Sequence, residues 1–180
     1  MLLDIVVISV IIGFLRKGNL KGNLDFRYTW IVPAVFIIQI FGTWLLPQSL
    51  KPLAVVCSYL GLLVFVGFNI RKQYIQIIAL GIILNIIPIV ANGGMMPVSL
   101  EAATKVGYDV TPLLEGTVFK QQALTDATVL GFLGDVIPLK YPIPRVISLG
   151  DIAIFIGVFL LLQDFMGRPI KIFNIKTSKN

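Results

Sequence analysis

The chain has 180 residues, of which 57% are apolar and 13% charged, with a mean hydropathy of +0.91; a soluble domain carries about 25% charged residues, so an ordinary soluble protein is excluded and an integral membrane protein is expected. The formal net charge is +6, yet Lys and Arg stand at the ends of apolar runs, where they orient segments in a bilayer, and not on one face, so no nucleic-acid partner is expected. The sequence has no His, and its single Cys57 lies inside an apolar run, which excludes His-ligated metal, a His-based triad and an internal disulfide.

Residues 2–15 are apolar apart from Asp4 and Ser9 and end at Arg16-Lys17. A signal peptide places its positive charge before the apolar core. Here the order is reversed, which predicts a short, uncleaved first helix with its N-terminus outside. Residues 16–27 hold Arg16, Lys17, Lys21 and Arg27 among helix-breaking Gly and Asn, as suits a loop at the cytoplasmic surface. Residues 29–46 read as a second helix, with Trp30 and Trp44 as interfacial aromatics, and 47–52 as a tight outer turn. Residues 53–70 and 74–91 read as the third and fourth helices, separated by Arg71-Lys72-Gln73 and each long enough for a hydrocarbon core of about 30 Å. Gln39, Asn69 and Asn85 are polar positions within or at the ends of these spans, expected to hydrogen-bond between helices.

The segment 92–151 is polar and enclosed by apolar sequence. A connection this long is functional or disordered, and its scattered Leu, Val, Phe and Ile argue for order. Ser99 is placed to cap a short helix that Gly107 closes. Phe132-Leu133 and Val136-Ile137 are expected to dip into the membrane interface. A fifth helix starts near Leu149 and runs to Met166, followed by a tail carrying Lys171, Lys176 and Lys179. With the N-terminus outside and the C-terminus cytoplasmic, ten Lys and Arg fall inside and five outside, as the positive-inside tendency requires. The predicted architecture is all-α: four transmembrane helices in 1–91, an extracytoplasmic cap in 92–148, and a fifth transmembrane helix with a basic tail in 149–180. The expected location is the cell membrane, with the lipid bilayer as the constant partner.

Within this segment Asn92-Gly93-Gly94 suits a helix C-cap, and equally a set of amides that could hold a ligand's polar group. Asp135 and Asp151 each follow Leu-Gly and precede an apolar run. Carboxylates so placed are expensive unless paired, hydrogen-bonded or protonated. Ser148-Leu149-Gly150-Asp151 also has the spacing of a capping box, with Asp151 complementing the helix dipole.

The stretches Asn92 to Ser99, Leu133-Gly134-Asp135 and Ser148-Leu149-Gly150-Asp151 resemble a family of bacterial polytopic membrane proteins of unknown function, domain-of-unknown-function family 5317. That resemblance implies a membrane protein and supplies no activity. A weaker resemblance is to lipoprotein signal peptidase (signal peptidase II), an aspartic protease, carried by Asn92 and Gly94, by the spacing Asp126, Gly131, Asp135, and by the run from Ile147 to Asp151. It implies Asp126 and Asp151 as a catalytic dyad.

Three functions follow as expectations. The leading one is a binding or accessory role at the extracytoplasmic interface toward a lipid, peptide or membrane-protein partner, with Asn92, Gly93, Gly94 and Ser148 as ligand-binding candidates. The alternative is an interface hydrolase in which two of Asp126, Asp135 and Asp151 share a proton and activate water. A small carrier comes last, because transporter sites sit at the midplane on broken helices. No metal or cofactor is expected for any of them.

Overall fold

Apolar runs of 14 to 19 residues bond their own backbone groups as α-helices, and five such helices dominate the computed structural model, which describes residues 2–118 and 120–170. They are α1 (Leu2–Leu15), α2 (Ile31–Leu45), α3 (Lys51–Asn69), α4 (Gln73–Ala91) and, after the cap segment, α7 (Leu149–Phe165). The basic tail positions Lys171, Lys176 and Lys179 lie outside the described residues. Together with the 3-10 turn before it, α3 forms a 22-residue helix, Gln48–Asn69; this and the 19-residue α4 are long and apolar enough to cross a membrane. The apolar stretches of α1 and α2 are shorter.

The helices pack in the order α2, α3, α4, α7, α1, with the most extensive contact between α4 and α7. Val66, Tyr74, Ile75, Ala79, Ile82 and Leu160 form the core between α3, α4 and α7. The close approach of α4 and α7 depends on glycine. A Cβ on Gly150 would strike the Asn85 amide and the Gly81 carbonyl, and one on Gly157 would lie 2.9 Å from the Tyr74 carbonyl oxygen. Small residues at such a crossing bring the backbones together, as in helix pairs packed in lipid. At the far side of α7, Gln163 is fully buried; its Nε2 donates to the Ser9 carbonyl and its Oε1 accepts from Arg16 Nη1, each at 2.8 Å, which fastens α1 to α7. Asn69, expected to bond between helices, instead ties the end of α3 to the loop before α2, with Nδ2 donating to the Arg27 carbonyl at 3.0 Å and Oδ1 accepting from the Arg27 amide at 2.8 Å.

The cap segment departs from an all-helical reading. It contains two short helices, α5 (Leu100–Lys105) and α6 (Thr111–Leu114), and two small sheets. Strand β1 (Met96–Val98) pairs in parallel with β2 (Gln121–Ala123), while Val98 bridges to Asp135. The bridge holds Asp135 by its backbone: its amide donates to the Pro97 carbonyl at 2.8 Å and its carbonyl accepts from the Ser99 amide at 2.9 Å. Strands β3 (Ile137–Leu139) and β4 (Arg145–Ile147) form an antiparallel pair that delivers the chain into α7. Ser99 caps α5 by accepting from the Ala102 amide at 3.2 Å, and Gly107 follows with a positive φ of 82°. Phe132 stands 65% exposed on a short 3-10 turn.

Candidate functional site

Helix α7 starts where Ser148 and Asp151 cap each other. Ser148 Oγ accepts from the Asp151 amide at 3.0 Å, and Asp151 Oδ2 accepts from the Ser148 amide at 3.2 Å. This reciprocal box satisfies two backbone donors that a helix N-terminus leaves open. Asn85, two-thirds of the way along α4, completes it from the side: its Nδ2 donates to Asp151 Oδ1 at 3.1 Å, and its Oδ1 accepts from Ser148 Oγ at 2.7 Å. All three side chains are buried. The interhelical role expected of Asn85 is therefore realised at the point where the cap segment re-enters the bundle.

Asp151 also faces a cleft of about 370 Å³, which it lines with Asp135, Gln121, Tyr108 and Arg145. Asp135 is 8% exposed and accepts from Gln121 Nε2 at 3.1 Å. Burial pushes its carboxyl up to about 7, the nearby Asp151 charge adds to the rise, and the Gln121 hydrogen bond opposes it. Arg145 is buried too. Its Nε donates to the Ile143 carbonyl at 3.1 Å, and its Nη2 is engaged by Asp4 Oδ2 in an ion pair that joins α1 to β4. The Tyr108 hydroxyl donates to the Pro144 carbonyl at 2.9 Å.

Asp151 borders a second space of different character. An apolar groove of about 270 Å³ runs between α2, α3, α4 and α7, lined among others by Phe36, Tyr59, Phe65, Ile82, Ile154 and Leu161, with Asn85 and Asp151 at its polar end. From Asp151 to Leu161 the groove follows α7 for about 15 Å, ten residues at about 1.5 Å each. One carboxylate thus stands between a polar cleft and an apolar channel.

The remaining sequence candidates are placed elsewhere. Asp126 is exposed on the cap segment and does not line the cleft. Asn92 closes α4: its Nδ2 donates to the carbonyls of Pro88 and Val129, at 2.8 and 2.7 Å, and its Oδ1 accepts from the Val129 amide at 3.0 Å. Gly93 and Gly94 follow with φ of +70° and +86°, and the Gly94 amide returns to the Ile89 carbonyl at 2.8 Å. This is the glycine-dependent helix ending that their sequence allows, and neither glycine reaches the cleft. Ser148 is fully buried, and its hydroxyl is spent on Asp151 and Asn85. Sequence reasoning missed Tyr108 and Gln121 as cleft residues, and no local pattern marks either of them.

The fold and site define a small, predominantly helical protein with membrane-length apolar helices and a buried pair of aspartates where its cap segment meets the bundle. The chain belongs to a family described as a family of unknown function (DUF5317), which matches residues 23–163. An uncharacterized protein of Thermotoga maritima is 32% identical over 179 residues, covering 96% of this chain and 98% of its own. No solved structure matches the chain. No similarity to lipoprotein signal peptidase is shown, and Asp126, half of the dyad that resemblance implies, stands apart from Asp151's cleft.

Proposed function

We propose that the chain is a multi-pass membrane protein, N-terminus outside and C-terminus cytoplasmic, that binds an amphiphilic ligand at the extracytoplasmic surface of the bilayer in a binding or accessory role. The membrane reading draws on the two spanning-length helices and on the large apolar side chains left exposed along the bundle, Leu3, Leu15, Trp44, Leu45 and Phe41 among them. Water would tolerate such a surface poorly, and hydrocarbon would not penalise it. The orientation draws on the Lys and Arg distribution.

The observation that carries the ligand reading is that Asp151 borders both the polar cleft and the apolar groove. A molecule with a polar end and a hydrocarbon chain can place each end in a matching environment. Binding pockets generally combine apolar walls with a few placed polar groups, and this one would divide them along its length.

Photo-crosslinking tests the reading. With the protein in nanodiscs, a dodecyl amphiphile bearing a diazirine on its tail is expected to form adducts on Tyr59, Ile82 and Ile154. Val158 on α7 also lines the groove, and filling it with Val158→Trp should lower those adducts by about tenfold, equivalent to roughly 1.4 kcal/mol of lost binding, with probe content of the bilayer unchanged. Adducts spread evenly over the exposed faces of α1 and α2, indifferent to Val158→Trp, would remove the proposal.

One observation favours a second reading, an aspartate-dependent hydrolase. Asp135, with its carboxyl raised to about 7, shares the cleft with Asp151, so Asp135 can hold a proton near neutral pH beside a second carboxyl group. In this reading Asp135 would donate its proton to the leaving atom, and Asp151 would take a proton from the water that attacks the scissile carbon. Lipid or lipopeptide cleavage followed by mass spectrometry must then vanish in both Asp135→Asn and Asp151→Asn; turnover surviving in either variant ends this reading.

A further inference from the structure

We infer that the cleft accepts a primary ammonium group, which makes the ligand a cationic amphiphile with its headgroup between Asp135 and Asp151 and its chain in the groove. The inference rests on the amphiphile reading above and narrows it to one class of headgroup.

The charge balance of the cleft supports it. Two of its lining residues, Asp135 and Asp151, are carboxylic acids, 8% and 7% exposed. Among the described residues that line the cleft, the one cation, Arg145, is already engaged by Asp4, so its charge is balanced outside the aspartate pair. Tyr108 and Gln121 are neutral. A chain of net charge +6 therefore keeps an acidic cleft. An anionic headgroup there would meet like charge in a poorly hydrated space, and a neutral one would do nothing to offset the Asp151 charge that opposes ionisation of Asp135.

Hydrogen-bond capacity narrows the class further. An ionised carboxylate offers about four lone-pair sites. Among the described residues, the Asp135 side chain accepts only from Gln121. Asp151 accepts one bond on each oxygen, from Asn85 and from the Ser148 amide. Acceptor capacity is thus left over on both acids. An ammonium group brings three donors and a full positive charge, and charge-assisted bonds of this kind are roughly twice as strong as neutral ones. Asp151 is the residue at which such a headgroup can meet the pair while its chain enters beside Asn85, because it alone among the acids borders both spaces.

The test is displacement of the groove photo-adduct from the full-length protein in uncharged nanodiscs at pH 8, using dodecylammonium, dodecanol and dodecyl sulfate as chain-matched competitors scored by their bilayer concentration. Dodecylammonium is expected to displace the probe at about tenfold lower concentration than dodecanol, and dodecyl sulfate to be the weakest. In Asp135→Asn the advantage of dodecylammonium should shrink toward that of dodecanol. Equal displacement by dodecanol and dodecylammonium, or strongest displacement by dodecyl sulfate, overturns the ammonium assignment and leaves the amphiphile reading in place. Failure of all three competitors, with adducts lying outside the groove, overturns both.

Discussion

Exchanging Asp135 for Asn is expected to stabilise the protein at pH 8, by up to about 4 kcal/mol, and to leave it unchanged near pH 4. The folded-state carboxyl titrates at about 7 instead of the usual 3.8, chiefly because it is buried and secondly because Asp151 is close. Between these values the folded protein holds a proton that the unfolded chain has released, so stability falls as pH rises through the window and the full cost is present above it. The gap between 3.8 and about 7, at about 1.4 kcal/mol per pH unit, sets the upper bound. Asn carries no charge, fills nearly the same volume and can accept the Gln121 hydrogen bond made by Asp135. Thermal unfolding of both proteins in detergent from pH 4 to pH 8 provides the check. The wild-type midpoint should decline relative to the variant's as pH rises, the two meeting at the acid end; curves that run parallel would show that Asp135 carries no such cost. A buried carboxylate that weakens the fold is the pattern expected of a residue retained for its site, where stability and activity trade against each other.

The ion pair between Asp4 and Arg145 should show the opposite behaviour. Its side chains are 14% and 10% exposed, and it joins the first turn of α1 to the strand that feeds α7. Arg145→Met strands the Asp4 carboxylate, and Asp4→Leu strands the guanidinium. Either single change is expected to cost about 3–5 kcal/mol, because an uncompensated charge is left in a desolvated place. The double change should recover most of that loss, since an apolar pair of similar volume replaces a buried ion pair at little or no net cost. A double-mutant cycle on unfolding midpoints measures this directly. If the two single losses simply add in the double variant, the residues are not coupled and α1 is held only by its contacts with α7. Because Arg145 also lines the cleft, the single variants should disturb ligand placement as well, whereas Asp4→Leu paired with Arg145→Met tests whether the cleft needs the guanidinium or only a filled volume.

Features governed by near neighbours were legible in the sequence. Apolar runs bounded by charge predict α1 to α4 and α7 to within a few residues at each end, because a helix closes its hydrogen bonds within its own segment. Ser99, Ser148 and Asp151 could be read as caps because capping operates over three residues, and the Asn92-Gly93-Gly94 ending because positive φ is glycine's. Tertiary structure alone decided the site. The strands of the cap segment are three residues each, too short to show an alternating pattern, so nothing local announces that β1 carries β2 on one edge and Asp135 on the other. The nine-residue spacing that matches Asp126 with Asp135 carried no information about which of them faces Asp151, and the fold buries one and exposes the other. Asn85 meets Ser148 across 63 positions and Asp4 meets Arg145 across 141. Such pairs are set by helix packing and strand register, which arise from the collapse of the whole chain, and the cleft and its groove exist only once that packing is complete.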